Sequence, residues 1–223
     1  MEDSPIKFSQ RKIKKNYRSI TGHFPSIKNN TSIGFESKLE KAHFLSLEFD
    51  NEVISYQEQP QVEICINGKD KIYSADCYIK RSKNSNKKDS IVEVKYTNEI
   101  EKRKEYFEKK FEAAKTSVNK LNLDFEVYTE KIHSEIYLDN LDFLYRYKLQ
   151  PIENKYEDQI LATIINKNNK ISAFDLANLI SENPIEYGLI SNCIWDLVCK
   201  EKLKTNLELS KITMNSLVEL YYE

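Results

Sequence analysis

The chain has 223 residues, of which 40% are hydrophobic and 31% charged, and its formal net charge is −1 at pH 7. This composition is that of an ordinary globular protein with one large domain, or with a medium domain and a small one. No apolar run approaches the roughly 20 residues of a membrane-spanning helix, and residues 1–10 lack the apolar core of a signal peptide, so we expect a cytoplasmic protein with no membrane partner.

The first segment of the chain is polar and basic. Residues 1–28 contain seven lysines and arginines against two acidic residues, whereas residues 151–223 contain seven lysines against eleven acidic residues. We predict that residues 1–32 form an extended basic N-terminal arm, which is either a DNA contact or a solvated terminus. The acidic end of the chain is expected to meet a different partner.

Apolar residues recur at helix and strand spacing through residues 33–150, which we assign to one domain. The predicted elements, in chain order, are a helix over 35–49, strands over 53–56, 62–66, 71–80 and 90–96, a helix over 99–120, a strand over 125–128 and a helix over 134–149. Asn67-Gly68 favours a hairpin turn between the second and third strands, and Pro60 favours a turn or an edge segment before them. This order predicts an α/β fold with a mixed sheet flanked by helices.

The segment after Pro151 is mostly helical. We predict helices over residues 156–166, 173–180 and 186–200, followed by a short basic hairpin, and this order is typical of a winged-helix-like or helix-turn-helix domain over residues 151–223. The third helix is apolar, and the segment contains no arginine, which is the usual reader of guanine. We therefore favour a contact with protein, with the DNA backbone as the alternative.

The candidate site combines charges with two apolar strands. Asp76 interrupts an apolar run, and Glu93 and Lys95 share one face of the strand over 90–96, because successive side chains of a strand alternate. Burying such charges without a purpose is costly. Carboxylate oxygens suit Mg²⁺, and a metal-bound water supplies hydroxide near neutral pH. These residues predict phosphodiester hydrolysis by a metal-dependent nuclease.

Further groups are candidates for the same site. Glu40 on the first helix is a candidate either to complete the metal site or to bind the water shell of a second ion, with Glu36 one turn earlier as its alternative. The carbonyl of Val94 is a further candidate ligand. Lys95 either orients and deprotonates the attacking water or stabilises charge on the phosphate. The alternative interpretation of Glu93 and Lys95 is a surface ion pair on an edge strand, worth roughly 0–1 kcal/mol.

Other chemistries have less support. The three histidines show no ligand spacing, and His43 is expected to be packed or half-exposed. The four glycines are too far apart for a phosphate-binding loop, and the four cysteines show no CxxC spacing, so reduced thiols are expected. Basic residues near the site strands are candidates for contacts with DNA phosphates: Lys80, Arg81, Lys83, Lys87 and Lys88.

Residues 33–130 resemble the TnsA endonucleases of heteromeric transposons. The stretch from Leu39 to Phe49 is similar to the first helix of that family, and residues 53–60 are similar to the segment that follows it. Tyr73-Ser74-Ala75-Asp76 matches the family's strand with an aspartate. Glu93-Val94-Lys95 matches its later strand, which carries Glu or Gln, one residue, then Lys.

The resemblance implies a restriction-endonuclease-like fold and cutting of double-stranded DNA at the 5′ ends of a mobile element. It implies Mg²⁺ as cofactor, for which we expect Mn²⁺ to substitute. It also implies work within a heteromeric transposase, in which a TnsB-type subunit cuts and joins the 3′ ends and a TnsC-type ATPase regulates. The C-terminal region is the expected contact for the ATPase.

Carried over to this chain, the resemblance implies the catalytic residues Glu40, Asp76, Glu93 and Lys95, and we expect Glu40, Asp76, Glu93 and Val94 as metal ligands. Ala75 stands where relatives often have proline, a difference that leaves the chemistry untouched. Two other functions stay open at this point. One is a nuclease of the same fold that acts in restriction or repair, and the other is a DNA-binding adaptor without catalytic activity.

Overall fold

The computed structural model describes residues 6–8 and 20–221. The chain divides into two compact units, with the boundary between His133 and Ser134. Both units combine helices with strands, which confirms a mixed α/β chain. Among the described residues, no helix has both the length and the apolar character needed to cross a membrane.

The first unit carries most of the strands. Its elements are β1 (Lys7–Phe8), β2 (Gly22–Ser26), β3 (Thr31–Phe35), α1 (Lys38–Glu48), β4 (Val53–Glu58), β5 (Pro60–Ile66), β6 (Lys69–Ser74), β7 (Cys77–Arg81), β8 (Ser90–Val94), α2 (Thr97–Lys102), α3 (Lys104–Lys120) and β9 (Asp124–Tyr128).

A four-stranded mixed sheet forms the centre of this unit. Its strand order is β4-β7-β8-β9, with β8 and β9 parallel and the other pairs antiparallel. All five residues of β8 are buried, as expected for a strand between two neighbours whose faces are both covered. The prediction of a buried central strand that carries Glu93 is confirmed.

A second sheet has the order β1-β5-β6 and is antiparallel throughout. Its apolar side chains form a core cluster with Ile91 of β8 and with Ala114 and Val118 of α3. One long strand was predicted over residues 71–80, and this prediction is wrong. The chain leaves the second sheet after Ser74 and enters the central sheet at Cys77, because β6 and β7 pair with different partners.

The end of the predicted N-terminal arm is a β-hairpin. β2 pairs antiparallel with β3, and Phe24 and Ile33 within it are 2% and 3% exposed. The prediction of an extended arm is therefore wrong for residues 22–32, because alternate side chains of the hairpin enter the core. The arm's residues 1–5 and 9–19 lie outside the described residues.

Two further boundaries differ from prediction. β4 continues to Glu58, and the chain turns at Gln59, whose φ of 53° lies in the left-handed region. The predicted charged helix over 99–120 begins at Thr97 and is interrupted at Arg103, which separates α2 from α3.

The second unit is mostly helical. Its elements are α4 (Glu135–Leu149), α5 (Glu157–Asn166), β10 (Lys170–Ser172), α6 (Ala173–Ile180), α7 (Pro184–Cys199), β11 (Leu203–Lys204) and β12 (Leu217–Leu220). The three strands form an antiparallel sheet in the order β10-β12-β11. These are elements that a winged-helix-like domain requires, and that interpretation stays a prediction.

The helix α4 belongs to the second unit, whereas the sequence placed it at the end of a domain over 33–150. Asn140 on this helix is 2% exposed, and its amide donates to the carbonyls of Leu207 and Ser210 at 2.9 and 2.8 Å. Its oxygen accepts from the backbone N of Ile212 at 2.8 Å. These bonds fasten α4 to the loop before β12, so the boundary lies well before Pro151.

Candidate active site

Glu93 is a buried carboxylate in the middle of the central sheet. Its side chain lies on the same face of β8 as Ile91, which belongs to the apolar core, and only 3% of the residue is exposed. Its Oε2 accepts a short hydrogen bond from the hydroxyl of Tyr73 on β6. The interpretation of Glu93 as part of a surface ion pair is therefore wrong.

Asp76 lies where the chain crosses from β6 to β7. Its backbone N donates to the carbonyl of Val92 at 3.0 Å, and its Oδ2 accepts from the backbone N of Val94 at 2.7 Å. Cys77, the next residue, is paired with Val92 in the sheet. The carboxylate therefore takes the place of a strand partner for Val94, which fixes Asp76 against the β8 backbone beside Glu93.

The two carboxylates repel each other. Burial is the main cause that raises the pKa of Asp76 to about 7, and the neighbouring charge of Glu93 raises it further. The hydrogen bond from Val94 and the ammonium of Lys95 act in the opposite direction. Burial and the charge of Glu93 therefore both oppose the ionisation of Asp76, and a cation bound between the two carboxylates would offset both effects.

Glu40 lies close to this pair but is engaged at the start of α1. Ser37 is the N-cap residue: its hydroxyl accepts from the backbone N of Glu40 at 3.1 Å and donates to Oε1 of Glu40 at 2.9 Å. Oε2 of Glu40 accepts from the backbone N of Glu36 at 3.0 Å. The arrangement differs from a capping box in one respect, because the N3 carboxylate accepts from the residue before the N-cap and not from the N-cap itself.

The charge of Glu40 still reaches the site. Burial raises the pKa of Glu40, Lys95 lowers it, and Glu40 in turn raises the pKa of Asp76. Glu36 precedes the N-cap, so the prediction that it lies on the helix one turn before Glu40 is wrong. Glu36 instead supplies a backbone N–H to the Glu40 carboxylate.

Lys95 follows β8 and points toward Glu93. Its Nζ lies 3.9 Å from Oε1 of Glu93, and 27% of its side chain is exposed. Its backbone N donates to the carbonyl of Tyr128 at 3.0 Å, which holds the residue at the end of the parallel β8–β9 pair. The ammonium thus lies between a buried carboxylate and solvent, where a substrate phosphate can approach it.

Two residues of this cluster were not predicted. Tyr73 donates to Glu93 from β6, and Nζ of Lys110 on α3 lies 3.2 Å from Oε1 of Glu93. The sequence indicates that Lys110 faces the core, because it lies three residues after Phe107 and four before Ala114, on the apolar stripe of the helix. No such pattern indicates the role of Tyr73, since its contact depends on the crossing between the sheets.

The residues present fit a magnesium ion in its usual protein setting. Mg²⁺ is commonly held by one or two carboxylates, with water and substrate phosphate completing its shell, and Asp76 with Glu93 offers that pair. Among the described residues, no three His, Cys, Asp or Glu side chains converge closely enough to form a complete metal cluster. The three carboxylates predicted as metal ligands, Glu40, Asp76 and Glu93, are therefore not brought together as one ligand set, and Asp76 with Glu93 is the candidate pair.

Arg81 is not available to DNA, contrary to the prediction. It is 7% exposed, and its guanidinium pairs with Asp50 and Glu126 at 3.4 and 3.3 Å. The other four residues of the predicted basic group have exposed side chains: Lys80, Lys83, Lys87 and Lys88.

His43 is packed, as expected, and is 4% exposed. Among the described residues, neither ring nitrogen has a hydrogen-bond partner, and the ring centroid lies 4.5 Å from that of Tyr128. Burial lowers the pKa of His43 to about 3, and the charges of His133 and Arg81 lower it as well. The residue is therefore a neutral part of the core beneath α1.

Residues 50–130 match a family model described as the TnsA-like endonuclease N terminal domain. The matched range contains Tyr73, Asp76, Glu93, Lys95 and Lys110, whereas α1 with Glu40 precedes it. No curated protein matches the chain.

Proposed function

We propose that this chain is a Mg²⁺-dependent endonuclease that cuts double-stranded DNA at the 5′ ends of a transposon. The match of residues 50–130 to the model of the TnsA-like endonuclease N-terminal domain supports a nuclease of the transposition type. The carrying observation is that half-buried Asp76 lies against β8 beside buried Glu93 and Lys95. Two like charges shielded from water have little structural value by themselves, so their presence points to a cation that the pair binds.

The proposed roles follow from the positions of the groups. Asp76 and Glu93 hold Mg²⁺, and the carbonyl of Val94 is a further proposed ligand at the same strand end. When bound, the cation supplies an acidic water and neutralises charge on the scissile phosphate. Lys95 faces that phosphate, where it stabilises the developing charge or orients the attacking water. Glu40 contributes through its charge and, as proposed, through the water shell of the cation.

The partners belong to the same proposal. A TnsB-type subunit would cut and join the 3′ ends, and a TnsC-type ATPase would bind the second unit of this chain. Supporting observations are the acidic balance of residues 151–223 and the exposed apolar side chains on α6 and α7, among them Phe174, Leu179, Ile185 and Leu189. Exposed lysines of the loop between β7 and β8, such as Lys83 and Lys87, would contact DNA phosphates and make binding weaken with salt. This loop joins the ends of the two strands that lie away from Asp76, since Cys77 pairs with Val92 and Ile79 pairs with Ser90.

A cleavage assay tests the function. DNA with labelled transposon ends is incubated with the chain, a TnsB-type subunit, a TnsC-type ATPase and Mg²⁺ or Mn²⁺. We expect 5′-end cutting that Asp76→Asn and Glu93→Gln abolish, since both variants remove a cation ligand. Asp70→Asn is the matched control, because Asp70 is an exposed carboxylate of β6.

The same assay separates the alternatives. Cutting of DNA that lacks transposon ends by the chain alone would favour a restriction or repair nuclease. Failure to cut in every combination, together with DNA binding that ignores the cation, would favour an adaptor. Cutting by Asp76→Asn at the rate of the unaltered chain would refute the proposed site.

A further inference from the structure

Lys110 is a cation on the buried face of a helix. It lies between Phe107 and Ala114 on α3, and both of these neighbours are buried, at 5% and 0% exposure. The side chain of Lys110 is 19% exposed. A lysine on such a face costs stability unless a partner compensates for the lost hydration, so the position calls for an explanation.

The partner is Glu93, whose carboxylate is fully engaged. Oε1 lies 3.2 Å from Nζ of Lys110 and 3.9 Å from Nζ of Lys95, while Oε2 accepts from the hydroxyl of Tyr73. Lys110 is thus the closer and less exposed of the two ammonium groups on Oε1. A cation that approaches Glu93 meets an oxygen already paired with a positive charge.

Asp76, in contrast, has no ammonium within ion-pair distance among the described residues, and its carboxylate accepts from the backbone N of Val94. Both ammonium groups, those of Lys95 and Lys110, therefore pair with Glu93 and not with Asp76. This asymmetry makes Glu93 the ligand whose availability decides whether a cation can bridge the pair.

We propose that Lys110 is the counter-ion of Glu93 when no divalent cation is bound. The Lys110 ammonium occupies the position of that cation and withdraws from Oε1 of Glu93 when the cation binds. This inference rests on the proposed function and adds a control over its cation site. The four-carbon stem of lysine permits the withdrawal. Nζ of Lys110 also lies 4.6 Å from the centroid of the Tyr73 ring, a cation–π contact that does not depend on the Glu93 carboxylate.

The effect of removing Lys110 on cation affinity distinguishes a competing lysine from a purely structural one. If Lys110 only shaped the site, its removal would disturb Glu93 and weaken cation binding. If Lys110 competes with the cation, its removal strengthens binding, because a neighbouring positive charge no longer opposes it. From the strength of charge interactions over a few ångströms in a partly buried site, we expect roughly tenfold tighter binding.

Mn²⁺ binding by the full chain without DNA tests this competition, measured by calorimetry and by the electron paramagnetic resonance of free Mn²⁺. We expect Lys110→Met to lower the Kd for Mn²⁺ by about tenfold. Lys109→Met is the matched control, because Lys109 lies on the same helix with an exposed side chain, and its Kd should equal that of the unaltered chain. An unchanged or raised Kd in Lys110→Met would overturn the inference.

Thermal unfolding provides an independent measurement. Lys110→Met should have a lower Tm than the unaltered chain in the presence of a chelator, and Mn²⁺ should raise its Tm by more, because a ligand stabilises the state that it binds. Should the methionine variant fail to fold, Lys110→Gln removes the charge but keeps a donor for Glu93. The inference fails if Mn²⁺ raises the Tm of the folded variant by no more than that of the unaltered chain.

The outcomes separate this inference from the proposed function. If the unaltered chain binds Mn²⁺ and Lys110→Met binds it no more tightly, the inference fails and the function stands. If only Lys110→Met binds, the inference is supported, since the lysine then blocks the site. If neither folded protein binds Mn²⁺, both the inference and the cation requirement of the proposed function are overturned.

Discussion

The carboxylate of Asp76 accepts a hydrogen bond from the backbone N of Val94 at 2.7 Å, so one oxygen of a proposed cation ligand also binds the backbone at the end of β8. The structural and the chemical role of Asp76 can be separated, because an amide oxygen accepts the same bond without carrying a charge. This separation gives the first prediction.

We expect Asp76→Asn to fold at least as stably as the unaltered chain at pH 8, because the amide keeps an acceptor for Val94 and removes the repulsion from Glu93. Asp76→Ala should lose about 1–3 kcal/mol, the usual cost of a buried donor without a partner. Urea denaturation at pH 8 measures both. Equal stability of the alanine and asparagine variants would show that the bond to Val94 contributes nothing.

The second prediction concerns Tyr73. Tyr73→Phe removes the hydroxyl that donates to the buried Glu93 and should lower the free energy of unfolding by about 1.5–3 kcal/mol, the range for hydrogen bonds to charged groups. Tyr78→Phe is the control, because the hydroxyl of Tyr78 donates at 2.8 Å to Asp89 in a partly buried position. A larger loss in the control than in Tyr73→Phe would contradict the importance assigned to the Glu93 contact.

His43 gives a prediction about pH. Burial lowers the pKa of His43 to about 3 from an ordinary value of 6.5, so the unfolded chain binds a proton between these values that the folded chain does not. Stability therefore falls as the pH falls below about 6.5, by up to about 1.4 kcal/mol per pH unit from this group.

His43→Leu should flatten this dependence, because leucine has no proton to bind and leaves no unpaired ring nitrogen in the core. His23→Leu, at an exposed position of β2, should keep the slope of the unaltered chain. Denaturation series between pH 4.5 and pH 7.5 measure the slopes. The assignment is wrong if His43→Leu loses stability with acid as steeply as the His23 variant.

Part of the site could be predicted from the sequence because its charges interrupt apolar runs. The apolar neighbours of Glu93 indicate a buried strand, and the alternating pattern fixes the face that Glu93 takes. Asp76 could be found as a charge within an apolar run, but it lies at the bend between β6 and β7 and not on a strand. Tyr73 and Lys110 could not be found in the same way. Their contacts with Glu93 depend on how β6 and α3 pack against β8, which one strand's pattern does not contain.

The fold shows the same limit. Most helices and strands were predicted close to their observed positions, but the hairpin of β2 and β3 was missed because basic residues nearby dominated the composition. The single strand predicted over 71–80 was wrong, since local propensity cannot show that a chain changes sheets between Ser74 and Cys77.

The last prediction concerns Asn140, because its hydrogen bonds attach α4 to the loop before β12 and so to the second unit. Asn140→Leu leaves the carbonyls of Leu207 and Ser210 and the N–H of Ile212 without their partner, and buried groups of this kind cost about 1–3 kcal/mol each when unpaired. We expect a loss of at least about 2 kcal/mol in the unfolding of the second unit, with the Mn²⁺ affinity of the first unit unchanged.

Hydrogen exchange measured by mass spectrometry assigns the loss to a unit. Peptides from α4 and from residues 207–212 should exchange faster in Asn140→Leu, and peptides from β8 should not. Asp139→Asn is the neighbouring control, since Asp139 is a partly exposed residue that pairs with Lys211 at 2.7 Å. Faster exchange confined to the first unit would show that α4 belongs to the same domain as the central sheet. The domain boundary would then lie at Pro151, as the sequence indicated.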